Sequence, residues 1–237
     1  VSTASLAPSP LGTEALDEAG HCSPDVVRAT LMDLTVSNTL LGGSRAAAFG
    51  LDRVLEATAL PHPLTLLDLG AGSGDVATYL VRHAARRGIA LVPVALDRHR
   101  EATRRCRRAR QAAVVADLSR LPLGPRSVDL VLASQLLHHF SRDAAAEIVR
   151  AMDRLARVGV IVADLRRHAL AMAGFWTAAH LLGFHPVTRH DGVLSVRRGF
   201  SPGELDTVLA AADVSARVVK RPGYRLVAAW NTTHAHR

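Results

Sequence analysis

The sequence predicts an α/β protein in which a mostly parallel, doubly wound sheet is covered by helices on both faces. Apolar runs at 65–69, 91–96, 113–116, 128–133 and 158–163 alternate with stretches of helical pattern. Such alternation builds parallel sheets, because each strand needs a crossover before the next. The first run, Leu66-Leu67-Asp68-Leu69, stops at Gly70, Gly72 and Gly74, and a helical pattern follows. That much backbone freedom behind a buried strand implies that something approaches the backbone closely.

The elements follow in order. Residues 1–22 lack the basic start and apolar centre of a secretory signal and read as a mobile tail on a cytoplasmic protein. The remainder, 23–237, reads as a single domain. Ser23-Pro24-Asp25 opens a helical segment over 23–60, with Leu31, Leu34, Leu40 and Leu41 around Gly42-Gly43. After the fifth strand the rhythm breaks at an insertion over 165–200. It carries Phe175, Trp176, Leu181, Leu182 and Phe184, too apolar for disorder, and predicts a helical cap. Ser201-Pro202 with Glu204 marks a capped helix. Runs at 215–220 and 224–230, joined through Arg221-Pro222-Gly223, predict an antiparallel hairpin that closes the sheet.

The 237 residues are 49% apolar, and no run reaches the ~18 residues of a membrane span. Cys22 and Cys106 form no C-x-x-C, which argues against a zinc or disulfide framework. The formal charge of +8 rests on arginine, with Lys220 the single lysine. Arginine and alanine are both in excess, as a GC-rich coding sequence would produce. The densest run, Arg104 to Arg110, has no interleaved aromatics and reads as a solvated helix face, which disfavours nucleic acid as a partner.

In an open parallel sheet, ligands bind beyond the carboxyl ends of the strands. Those ends carry Asp68 with the glycine loop, Asp97, Asp117, Ser134-Gln135 and Asp164. A dinucleotide site wants G-x-G-x-x-G, but Asp75 stands where the third glycine would fall, and an acid repels pyrophosphate. Asp97 suits a ribose diol, Asp117 an exocyclic amine and Asp68 an ammonium. Ribose, adenine and ammonium together describe S-adenosylmethionine.

The motifs LLDLGAGSGD (66–75), ALD (95–97), VVADLSRLPL (114–123) and VDLVLASQLLHHF (128–140) resemble class I S-adenosylmethionine-dependent methyltransferases, of the small-molecule kind related to quinone-biosynthesis enzymes. The resemblance covers about residues 60–165 and implies a Rossmann-like, seven-stranded sheet whose last strand is antiparallel. It implies that Gly70, Ala71, Gly72 and Gly74 wrap the methionine part with Asp68, and that Asp97 holds the ribose. Asp117, Leu118 and Arg98 would meet adenine, and Ser134 and Gln135 the methionine. The Asn-Pro-Pro-Tyr signature of some RNA and protein methyltransferases is absent; Ser-Gln-Leu-Leu stands there.

The acceptor side has weaker signals. His138 and His139 follow strand four and either act as a base or shape the pocket. His190 beside Asp191 reads as an oriented base or, more blandly, as part of a turn at Asp191-Gly192. Trp176, Arg189 and Arg197 either hold an anionic, ring-containing acceptor or belong to the plain surface of the cap. No metal is expected, since Asp164 has no Asp-Asn beside it. The expected partner is a small-molecule acceptor, with a phenolic, quinone or polyketide-type hydroxyl or ring carbon. An RNA or protein methyltransferase and an inactive cofactor-binding protein are the alternatives. The sequence is compatible with a monomer or a homodimer.

Overall fold

Period-two alternation within the central strands sorts their side chains to two faces and creates two apolar cores. In the computed structural model, which describes residues 9–15, 22–56 and 63–232, the strands are β1 (Leu64–Leu69), β2 (Leu91–Asp97), β3 (Ala112–Val115), β4 (Val128–Ser134), β5 (Ala156–Leu165), β6 (Val219–Arg221) and β7 (Arg225–Asn231). The helices are α1 (Pro24–Leu40), α2 (Gly43–Leu55), α3 (Asp75–Ala85), α4 (Arg100–Arg108), α5 (Arg142–Leu155), α6 (Ala169–Leu181), α7 (Pro186–Arg198) and α8 (Pro202–Ala211). Leu64, Leu66, Leu130, Leu132 and Ile161 pack under α2 and α3. Their strand neighbours Leu67, Leu69, Val131, Val160 and Val162 pack against α5 and α8.

The sheet order is β3-β2-β1-β4-β5-β7-β6. The chain winds outward from β1 to β3, then returns to lay β4 beside β1, so a switch point opens at their carboxyl ends. β7 is antiparallel to both β5 and β6 and pairs Leu165 with Arg225. The seven-stranded, mostly parallel sheet therefore matches expectation. The hairpin differs in detail: its first strand is only Val219–Arg221, because Ala216 and Val218 pack as irregular chain against the α5/α8 core. The hairpin tip sits on the α1–α2 junction. A Cβ on Gly223 would lie 2.2 Å from the Leu41 carbonyl oxygen, so glycine is needed there.

Two expectations are corrected. Residues 9–15, read as part of a tail over 1–22, lie against the domain: Ser9 N donates to His139 O (2.9 Å) and Ala15 N to Asp191 Oδ1 (3.2 Å). The remaining tail positions 1–8 and 16–21, and the last positions, 57–60, of the helical segment, lie outside the described residues. The turn at Asp191-Gly192 is instead the middle of α7, with Asp191 buried. Glycine serves close packing there, since a Cβ on Gly192 would stand 2.1 Å from Cζ of Phe175 on α6.

The insertion forms the helices α6 and α7. Asp33 of α1 accepts from His185 N (2.8 Å) and Thr188 Oγ1 (2.7 Å), tying the start of α7 down. At the far end, Arg167 binds both oxygens of Glu204 at 2.7 Å, and Glu204 closes the capping box with Ser201. Among the described residues no helix is long and apolar enough to cross a membrane. Gly192→Ala is expected to destabilise the chain by about 1–3 kcal/mol through overpacking. The loss should shrink in a Phe175→Leu background. Equal losses in both backgrounds, measured by denaturant unfolding, would show that the ring is not the obstacle.

Candidate active site

Gly70, Gly72 and Gly74 all have positive φ, at 64°, 53° and 70°. That conformation suits glycine and turns the chain back over the end of β1. A Cβ on Gly70 would meet Leu136 at 2.6 Å, and one on Gly74 would meet Gln111 at 2.6 Å. A Cβ on Gly72 meets only Leu31, at 3.7 Å, because this glycine borders a cavity of about 640 Å³. A ligand pocket is typically about 300–1,000 Å³.

Three acids surround the loop. Asp97 Oδ2 accepts from Gly72 N (2.9 Å) and Oδ1 from His99 N (2.7 Å), which leaves lone pairs for two further donors. Asp75 opens α3 and is held by Ser73 Oγ and by Asn38 Nδ2 (3.0 Å), while Asn38 Oδ1 accepts from Gln135 Nε2. Asp68 is 2% exposed, and burial, followed by the charges of Asp75 and Asp97, raises its pKa well above the ordinary carboxylate range. Such a cluster favours a cationic ligand. The same surroundings, burial foremost, push the Cys106 thiol behind the loop up to about 12, so it is no thiolate nucleophile. At the next strand end, Asp117 caps a 3-10 turn. Ser119 holds its carboxylate below the usual range with a hydroxyl (2.6 Å) and a backbone N–H (2.8 Å).

Beyond β4 the chain makes a 3-10 turn over Leu137–His139. His138 Nδ1 lies 2.7 Å from Asp164 Oδ1 at the end of β5. Burial opposes charge on Asp164, but His138 and the Leu165 N–H (2.7 Å) hold its pKa below the usual carboxylate range, and the Leu137 N–H (2.9 Å) binds its other oxygen. A carboxylate on Nδ1 leaves Nε2 as the acceptor nitrogen. His138 Nε2 is buried and has no hydrogen-bond partner among the described residues, and the residue lines the cavity. Glu14 Oε1 stands 3.8 Å from it and 3.9 Å from His139 Nδ1. These three side chains could group around a metal ion, but Glu14 already binds the Arg198 guanidinium (3.0 Å) and Ser195 Oγ. A neighbouring guanidinium disfavours a second cation.

The cavity wall includes Asp68, Gly70, Ala71, Gly72, Asp97, Arg98, Asp117, Leu118, Ser134, Gln135, His138 and His139. Gly74 lies behind it and caps α3. Four further expected residues are not on the wall: His190, Trp176, Arg189 and Arg197. Adjacent helical residues point about 100° apart, which explains the miss. α7 presents Gly192, Ser195 and Val196 inward and leaves Arg197 exposed, and α6 turns Phe175 inward and Trp176 outward against His180. His190 does meet Asp191 Oδ1 at 3.0 Å, but its side chain is 74% exposed. Residues not anticipated on the wall are Glu14, Asn38, Arg166, Tyr224 and Arg225. Glu14 gave no sequence signal, whereas Tyr224 and Arg225 were visible only as the start of the last strand.

Residues 67–163 match the family described as "Methyltransferase domain". No curated protein matches the chain. Among solved structures, a SAM dependent methyltransferase from Aquifex aeolicus is 17% identical, with TM-score 0.56, over 89% of this chain and 99% of that one. The plantazolicin methyltransferase BpumL, in complex with a pentazolic desmethylPZN analog and SAH, is 12% identical, with TM-score 0.65 and 92% of each chain covered. Magnesium protoporphyrin IX methyltransferase from Synechocystis PCC 6803, with bound SAH, is 15% identical, with TM-score 0.53, over 81% of this chain and 83% of that one. The methyltransferase domain matched over residues 67–163, set on this sheet beside this acid-lined pocket, supports a methyltransferase that uses S-adenosylmethionine. The open face of Gly72 and the uncommitted lone pairs of Asp97 fit that cofactor.

Two predictions follow from the acids. Asp97→Ala should weaken S-adenosylmethionine binding by about 1.5–3 kcal/mol, as for a charge-assisted hydrogen bond; unchanged affinity in calorimetry would remove Asp97 from the site. Asp68 binds its proton more tightly folded than unfolded, so its contribution to stability declines as pH rises from the ordinary carboxylate range through its raised value. Asp68→Asn should therefore raise the melting temperature of the cofactor-free protein at about pH 8 but not at about pH 4. The same change should weaken cofactor binding about tenfold. A stability gain equal at both pH values would contradict the raised pKa.

Proposed function

We propose that this methyltransferase acts on a small-molecule acceptor, a phenolic, quinone or polyketide-type hydroxyl or ring carbon, with His138 as general base. The observation that carries the reading is the His138–Asp164 pair: its Nε2 has no hydrogen-bond partner among the described residues, and His138 stands on the wall of the cavity that also holds the acid cluster. S-adenosylmethionine supplies an electrophilic methyl group on a sulfonium, and leaves as a neutral thioether. The acceptor proton passes to His138 Nε2, and Asp164 stabilises the imidazolium that results. Leu136, Leu165, Phe175 and Val196 line the same cavity and give it an apolar wall.

Several observations favour a small acceptor over RNA or protein. The basic run of α4 supplies no wall residue, and Arg104 is 61% exposed and paired with Glu101. Two similar structures are named for plantazolicin and magnesium protoporphyrin IX. The test incubates the protein with methyl-labelled cofactor and a panel of phenols, quinones and RNA. Label is expected on a phenol or quinone, and label on RNA alone would overturn the reading. With a small acceptor in hand, His138→Gln should lower kcat about 10²- to 10⁴-fold while S-adenosylhomocysteine binding stays unchanged. Parallel loss of cofactor binding would make His138 a structural residue.

A further inference from the structure

Arg225 is the first residue of β7, in register with Leu165 at the carboxyl end of β5. Its side chain lines the cavity although the residue is only 3% exposed. Nε and Nη1 are buried and have no hydrogen-bond partner among the described residues. Asp164 attracts the guanidinium from a distance, yet its oxygens already accept from His138, Leu137 and Leu165. Burial lowers the Arg225 pKa to about 10, so the group remains a cation near neutrality. Arg166 lines the same wall, with Cζ 4.9 Å from the Tyr224 ring centroid and Nε likewise buried without a partner. Arg198, by contrast, is engaged by Glu14 and by the His139 carbonyl.

A buried guanidinium whose Nε and Nη1 find no acceptor among the described residues is unfavourable, and its place on the cavity wall points to a ligand that supplies the acceptors and the charge. The cavity is thus polarised: Asp68, Asp75 and Asp97 lie at one end and Arg225 and Arg166 at the other. Three strand spacings separate β1, which leads into the glycine loop, from β7, a span of about 14 Å. We propose that Arg225, flanked by Arg166, anchors a carboxylate of the acceptor, so that the substrate class is a hydroxylated aromatic or polyketide-type acid. A planar carboxylate matches the guanidinium fork, and Leu165, Leu170 and Phe175 on the adjoining wall suit an apolar body. The inference rests on the small-molecule reading above.

The test uses the full chain loaded with S-adenosylhomocysteine, and the probes 2-hydroxybenzoate and 2-hydroxybenzamide, nearly equal in shape, of which only the first carries the carboxylate charge. Wild type should bind the acid about tenfold more tightly than the amide. Arg225→Met should bring that ratio to about one while S-adenosylhomocysteine affinity stays within about twofold and the melting temperature holds or rises. Arg225→Lys, which keeps the charge and loses the fork, should retain part of the preference. Equal binding of acid and amide by wild type would overturn the proposal. A loss of cofactor affinity in Arg225→Met would reassign the guanidinium to the cofactor's own carboxylate, and a lowered melting temperature would make it structural. Failure of wild type to bind S-adenosylhomocysteine would instead sink the methyltransferase reading itself.

Discussion

Asp68, Asp75 and Asp97 bring three carboxylates to the same end of the sheet, and the repulsion among them shapes everything built around it. Each acid is handled differently. Asp97 takes two backbone N–H groups, Asp75 sits at the positive end of α3 with Asn38 and Ser73, and Asp68 is left to burial. The left-handed glycine loop is what aims the Gly72 N–H at Asp97. A cation between these acids relieves the repulsion, so the site carries an electrostatic preference for a cationic ligand.

The other end of the cavity is balanced in the opposite sense. Asp164 is saturated by donors, one of them His138, and this lets a fully buried carboxylate stay ionised. The same contact orients the imidazole, so a single acid both bears the charge of the strand end and sets which nitrogen meets the acceptor. Glu14 pairs with Arg198, whereas Nε of Arg166 and Nε and Nη1 of Arg225 have no hydrogen-bond partner among the described residues. One pocket therefore joins a cation-seeking half to an anion-seeking half.

Enclosure of that pocket is a long-range affair. α1 covers the glycine loop through Thr35 on Ser73 (2.9 Å) and Asn38 on Asp75. α7 is anchored on α1 by Asp33 and on residues 9–15 by Glu14 and the Ala15 N–H. The acceptor end is therefore assembled from the beginning, middle and end of the chain, and the packing of Phe175 on Gly192 lets the two cap helices close together.

Strand–helix alternation and the strand-end acids are local patterns, and local physics made them legible. The parallel sheet, the glycine turn and the gathering of Asp68, Asp97, Asp117 and Ser134-Gln135 at strand ends needed only the period of two and the rule that ligands sit at strand ends. The cap was legible as a unit but not in its orientation. Apolar content sets that α6 and α7 fold, whereas the rotation of each helix about its axis depends on what it packs against, so Trp176, Arg189, Arg197 and His190 fell outside the pocket while Phe175 and Ser195 fell inside. Glu14 shows the same limit from the other side: a lone acid in an unpatterned stretch carries no period to read. Pairings such as His138 with Asp164, Glu14 with Arg198 and Leu165 with Arg225 join positions far apart in the chain. Only the tertiary structure decides these, because strand order and helix packing, not sequence spacing, set which side chains share a buried volume and which charge is left unpaired.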